Sequence, residues 1–169
     1  MDYQKRRTLK TLLAFGFMAA LPGQYRAVQA NTADSVLLTL HGGLKKQAFT
    51  LADLDALPQQ DFTTSTIWTT EPTRFSGPSL SAVMETSGLI AEVLTLRAAN
   101  DYSITMNTSM LEENAPIVAT RINGKTFGLR ERGPLWVVFP YDAASRYRSE
   151  HTFAASIWQL TDVLADQTP

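Results

Sequence analysis

The titratable and nucleophilic side chains of this sequence fall into none of the familiar catalytic spacings. It contains no cysteine, which removes disulfides, thiolate metal sites and cysteine nucleophiles together. Its two histidines, His41 and His151, lie far apart, and neither belongs to a metal-ligand spacing such as His-Glu-x-x-His, so no metal site is expected. Gly-x-Ser-x-Gly elbows, phosphate loops and dinucleotide glycine fingerprints are also missing, which leaves the standard hydrolase, nucleotidase and hydride-transfer patterns without support. What remains is basic and aromatic. Arg130 and Arg132 flank Glu131 just before Gly133-Pro134, and guanidinium forks suit phosphate or carboxylate; the plain alternative is a surface loop bonded to Glu131 or Asp142. Arg74 is a third candidate for phosphate. Trp68, Phe75, Tyr102 and Trp136 could cover a flat ligand, or could fill the core of a small domain. Asp101 could accept a hydrogen bond from a ligand or simply make a turn.

Positioning these residues falls to short elements. Ser35 to His41 reads as a strand closed by Gly42-Gly43, and Thr50 is the N-cap of a short helix from Leu51 to Leu57, ahead of Pro58. Phe62 to Thr70 is rich in threonine with Ile67 and Trp68, which predicts a strand. Glu71 to Pro78 holds two prolines and a glycine and predicts a loop, which delivers the chain into a helix with Leu80, Val83 and Met84 on one face and Gly88 at its end. Val93 to Ala99 and Tyr102 to Met106 are expected to be strands around the turn-prone Asn100-Asp101, followed by a short helix from Ser109 to Glu113 capped by Thr108. Asn123-Gly124 predicts a hairpin between Ile117–Ile122 and Lys125–Leu129. The unbroken apolar run from Leu135 to Phe139 suggests a strand buried on both faces, and a last strand is expected near Ile157–Val163. The segment from Ala143 to Glu150 reads as a long loop or a frayed helix. The fold class is α+β, a mixed, strand-rich sheet domain with a few short helices.

Residues 1–30 read as a signal peptide: Lys5, Arg6, Arg7 and Lys10, an apolar run from Leu12 to Leu21, then Val28-Gln29-Ala30 with small residues where a signal peptidase reads. The run is much shorter than the roughly 20 residues needed to span a bilayer, so no stable membrane span is expected after cleavage; an uncleaved anchor is the alternative. Arg6-Arg7-Thr8-Leu9-Lys10 also resembles a twin-arginine leader, beside the ordinary secretory route. The expected location is the periplasm or the exterior. Residues 31–169 then make one domain. The leader holds five of the fifteen basic residues and one of the sixteen acidic ones, leaving the remainder acidic and a poor partner for nucleic acid. Within that acidic chain, residues 121–148 carry six basic residues against two acids and could meet an anion.

Four motifs follow one another in order. Phe75-x-Gly77-x-x-Leu80 enters a helix that finishes at Gly88, Asn100-Asp101-Tyr102 joins two strands, Asn123-Gly124-Lys125 makes a turn, and Gly133-Pro134-Leu135-Trp136 leads to Pro140 after a basic loop. In that order, and from about Val36 to Leu164, the chain resembles the oxidoreductase molybdopterin-binding domain of the sulfite oxidase superfamily in a short exported form. The resemblance implies that superfamily's fold and a molybdopterin cofactor whose metal is held by a cysteine thiolate. Here that ligand would fall near Ile67–Thr73, which offers Trp68, Thr69, Thr70 and Glu71; Trp136 stands where the family's strand motif carries an arginine, and the glycine and lysine expected beyond the next proline are not evident after Pro140.

These departures give the first functional expectation, a periplasmic ligand-binding or accessory domain without the usual cysteine-ligated molybdenum centre. Its partner would be a small anionic ligand or a periplasmic or membrane sensor protein. The alternative is a molybdopterin-dependent oxidoreductase with an atypical cofactor site, in which Arg130, Arg132 and Arg74 hold phosphate and the aromatic side chains hold the ring. A stand-alone domain with no ligand is the third reading.

Overall fold

Alternation of apolar and polar side chains builds the largest layer, described here from a computed structural model that covers residues 35–166. In β1 (Val36–Gly42) Leu38 and Leu40 are buried while Leu37, Thr39 and His41 take the other face, as a period of two requires. The same rhythm buries Leu94, Leu96 and Ala98 of β5 (Val93–Ala98) and Val163 and Ala165 of β10 (Leu160–Asp166). With β2 (Lys45–Thr50) and β6 (Ser103–Asn107) these strands form a five-stranded sheet in the order β2-β1-β10-β5-β6, in which β1 and β10 run parallel and the other neighbours antiparallel. The predicted signal peptide lies outside the described residues. Among the described residues, no helix is long and apolar enough to cross a membrane.

Two smaller sheets pack on the core face. The first joins β3 (Gln59–Thr64), β4 (Thr73–Pro78) and β8 (Arg121–Ile122), and the second pairs β7 (Ile117–Ala119) with β9 (Trp136–Val138). β7 and β9 are buried throughout, which matches the apolar run from Leu135 to Phe139. Three helices complete the domain: α1 (Leu51–Asp55), α2 (Leu80–Ser87) and α3 (Glu150–Ala155). Thr50 and Asp53 close a reciprocal capping box at α1, Ser79 caps α2 through the N–H of Ala82, and Gly88 ends α2 in the left-handed region. The α+β, strand-rich reading therefore holds.

Several local expectations need correction. The strand predicted over Phe62–Thr70 starts earlier and stops at Thr64, because the Thr66 hydroxyl accepts from the N–H groups of Trp68 (3.0 Å) and Thr69 (2.9 Å) and folds the chain into a turn. Much of the loop predicted over Glu71–Pro78 is strand β4: Pro78 falls at its last residue, and Gly77 is where the backbone of β7 presses in. The Asn123-Gly124 turn forms with φ of 51° and 76°, but beyond the single Ile122–Lys125 bridge no second arm pairs, because the chain turns into the 3₁₀ turn Leu129–Glu131, where the Gly128 N–H is taken by the Glu131 carboxylate and the Gly128 carbonyl by the N–H of Gly133. The short helix after β6 is a 3₁₀ turn over Thr108–Met110, capped by Asn107 in place of Thr108. The final strand begins at Leu160, and the preceding polar segment resolves into a 3₁₀ turn at Ser145–Tyr147 and then α3, whose N-cap is Ser149.

Candidate functional site

Trp68 is the organising side chain. The turn that carries it is pinned at its base, where Ser65 N–H donates to Asp142 Oδ2 at 2.6 Å and Asp142 N–H donates to the Thr64 hydroxyl at 3.1 Å. Arg148 secures the other side of Asp142, donating to its Oδ1 at 2.7 Å and to the Tyr141 carbonyl at 2.9 Å. The Ser65 N–H, with Arg148 contributing, holds the Asp142 carboxyl below the usual aspartate range. The indole so presented meets four rings, edge-on or tilted: Trp158 at 5.7 Å, Trp136 at 5.8 Å, Phe153 at 6.0 Å and Tyr141 at 6.3 Å.

Beneath this layer the rings are tied to the backbone by hydrogen bonds. Trp136, only 1% exposed, packs on Phe75 at 5.4 Å and donates its indole N–H to the Ser156 carbonyl at 3.3 Å. Tyr141 stacks on Phe153 at 5.2 Å and donates its hydroxyl to Ser156 Oγ, which in turn donates to the Thr152 carbonyl at 2.7 Å. Burial pushes the Tyr141 phenol up to about 12, more than the Ser156 contact draws it down. Above the cluster a cleft of about 280 Å³ opens. Trp68, Tyr102, Phe153 and Trp158 give it aromatic walls, and Ala98, Asn100, Ala154, Ser156 and Ile157 complete the lining.

The candidate residues separate on this geometry. Trp68 and Tyr102 line the cleft, whereas Trp136 is core beneath it. Asp101 sits beside the lining residues Asn100 and Tyr102 but spends its backbone on the turn, with φ 65° and its N–H donating to the Ala98 carbonyl at 3.0 Å. Arg132, half-buried at φ 69°, lays its guanidinium over the rings of Trp136 (5.7 Å) and Trp158 (5.8 Å). Gln159 fixes that loop by donating to the carbonyls of Arg132 and Leu129. Arg130 is exposed on the 3₁₀ turn Leu129–Glu131. Arg74 lies on the opposite face of β4 from Phe75, 58% exposed, and donates to Asp61 at 2.9 Å. The three arginines do not converge, and among the described residues no charged side chain lines the cleft.

Trp158 and Phe153 are the walls that sequence reasoning missed. Ser149 before Glu150 was a usable cap signal for α3, and with α3 placed, Phe153 and Trp158 fall within one short stretch. Elsewhere His41 Nε2 meets Asp162 Oδ1 at 2.7 Å across the parallel β1–β10 pair. Desolvation would raise the Asp162 carboxyl, but hydrogen bonds from His41 and Thr161 outweigh it and hold it low. Among the described residues, no group of three or more His, Asp or Glu side chains is placed to hold a metal ion.

No protein-family model matches the chain, and no curated protein matches it. A match is found among solved structures: the sulfane dehydrogenase SoxCD from Paracoccus pantotrophus aligns with a TM-score of 0.60 and 17% identity, over 82% of this chain and 40% of that one. This chain thus spans well under half the length of the chain it matches, and what the two share is the fold.

Proposed function

We propose that this is an exported ligand-binding or accessory domain, built on a molybdopterin-domain-like fold but without a cysteine-ligated molybdenum centre. The observation that carries the reading is the segment 67–73. The family resemblance places the metal-binding thiolate there, and the structure puts Trp68 there, wedged among Trp136, Trp158, Phe153 and Tyr141. A soft thiolate is the donor that suits molybdenum in this architecture, and an indole offers no lone pair to replace it.

Molybdopterin itself is a poor fit to the residues present. Its phosphate calls for converging cations, and Arg74, Arg130 and Arg132 are respectively paired with Asp61, exposed on a turn, and stacked on tryptophan rings. Among the described residues the lining of the cleft is mostly apolar and carries no charge. Retaining the fold while losing the metal ligand leaves a rigid aromatic surface suited to capture of a small molecule or to docking on a periplasmic or membrane-anchored sensor.

Production of the exported protein in a host that makes and inserts molybdopterin tests this. Metal analysis and absorbance spectroscopy are expected to find neither molybdenum nor pterin on the purified chain. Molybdenum near one per chain would overturn the reading in favour of an oxidoreductase with an unusual ligand.

A further inference from the structure

Resting on that reading, we infer that the cleft over Trp68 binds a small, uncharged, planar ring that carries carbonyl-type hydrogen-bond acceptors. Size gives the first restriction. At about 280 Å³ the cleft lies at the bottom of the range of ligand pockets, which begins at roughly 300 Å³, so one or two fused rings fill it. Its walls are flat π-faces and edges from Trp68, Tyr102, Phe153 and Trp158, and the small side chains of Ala98 and Ala154 leave room between them.

Charge gives the second. A ligand buried here with a net charge would leave water without meeting a counter-ion from the described residues, because among them no Lys, Arg, His, Asp or Glu lines the cleft. Arg132 reaches only as far as the Trp158 ring, on which it is stacked.

The hydrogen-bonding inventory gives the third. Two acceptors at the cleft are engaged: Asn100 Oδ1 accepts from the Tyr102 N–H at 3.2 Å, and Ser156 Oγ accepts from Tyr141 while donating to Thr152. Its donors are not. The indole N–H groups of Trp68 and Trp158, the Asn100 side-chain amide and the Tyr102 hydroxyl donate to no acceptor among the described residues, in contrast to the buried indole of Trp136. Because no buried side-chain nitrogen or oxygen among the described residues lacks a partner, both free indole N–H groups open to solvent. A lining with more free donors than free acceptors favours a ligand that brings acceptors. The rings are held by mutual edge-to-face contacts, so little ordering is left to do when the ligand arrives.

Calorimetric titration with three two-ring probes tests the assignment: coumarin, which is neutral and carries a lactone carbonyl; naphthalene, of similar shape without an acceptor; and coumarin-3-carboxylate, which adds a negative charge. Coumarin is expected to bind saturably, one per chain, with each of the other two weaker by about tenfold or more. Phe153→Ala is expected to weaken coumarin by about tenfold, and Tyr102→Ala, at an exposed position that leaves the core intact, by a smaller but measurable factor. Absence of saturable coumarin binding, equal or tighter binding of either other probe, or unchanged affinity in folded Tyr102→Ala would each overturn the inference. The two readings fail separately: coumarin binding by a molybdenum-loaded chain would sink the proposed function alone, and a metal-free chain that ignores coumarin would sink this inference alone.

Discussion

Ser156 serves three neighbours at once: its Oγ accepts from Tyr141 and donates to the Thr152 carbonyl, and its own carbonyl accepts from the Trp136 indole. The two ends of the Tyr141–Ser156 bond are therefore unequal. Ser156→Ala strands a buried phenol without an acceptor, whereas Tyr141→Phe removes the donor and leaves Ser156 bonded to Thr152. Denaturant unfolding is expected to show a loss of about 1–3 kcal/mol for the first and about 1 kcal/mol for the second. The same phenol gives a pH signature. Its native value of about 12 lies above the ordinary 10.0, so between those values the unfolded chain has released a proton that the native chain still holds. Stability contributed by Tyr141 is complete below pH 10 and is lost as pH rises toward 12, by roughly 2–3 kcal/mol. Unfolding curves across that window should fall less steeply for Tyr141→Phe, with Tyr147, raised by burial and by its bond to Glu112, supplying the slope that remains. Little of this was legible in the sequence. The residue types were visible, but Tyr141 and Ser156 are fifteen positions apart and meet only because α3 forms between them.

At the scale of elements, legibility followed local physics. β1 and β5 announced themselves because a period of two with one buried face is written in consecutive residues, and α2 because its apolar stripe and Gly88 agree. β4 was hidden by Pro72, Gly77 and Pro78, which read as punctuation until the partner strands are known. Gly77 is in fact required by packing: an added Cβ there would sit 2.0 Å from the Val118 carbonyl oxygen on β7. Backbone cannot step aside as a side chain can, so Gly77→Ala is expected to cost about 3 kcal/mol or more, read as a large drop in denaturation midpoint or as failure to accumulate folded protein. Near-wild-type stability in that variant would mean that β4 and β7 do not cross as closely as described. The Asn123-Gly124 turn makes the opposite point. Its chemistry was read correctly and the turn is formed, yet the second hairpin arm is absent because the chain after Lys125 bends into the 3₁₀ turn Leu129–Glu131, where Gly128 bonds to Glu131 and Gly133.

At the scale of the whole molecule, motif order carried further than any single motif. Four loose signatures in sequence suggested an architecture, and the chain shares a fold with the SoxCD chain at 17% identity, while the cleft stayed invisible because its walls come from residues 68, 98–102 and 153–158. Leu38, Leu40, Phe75, Leu94, Leu96, Trp136 and Phe139 close the core with side chains alone, and no buried polar side-chain atom among the described residues waits for a partner. A group that bound the native chain at a hundred times its dissociation constant would add about 2.7 kcal/mol, enough to raise the melting temperature of a domain this size by several degrees. The chain is therefore expected to melt at the same temperature, within about one degree, whether it is made in a host that synthesises molybdopterin or in one that cannot. A melting point several degrees higher from the competent host would mean that the pterin is a structural component and that the aromatic cluster around Trp68 rearranges to admit it.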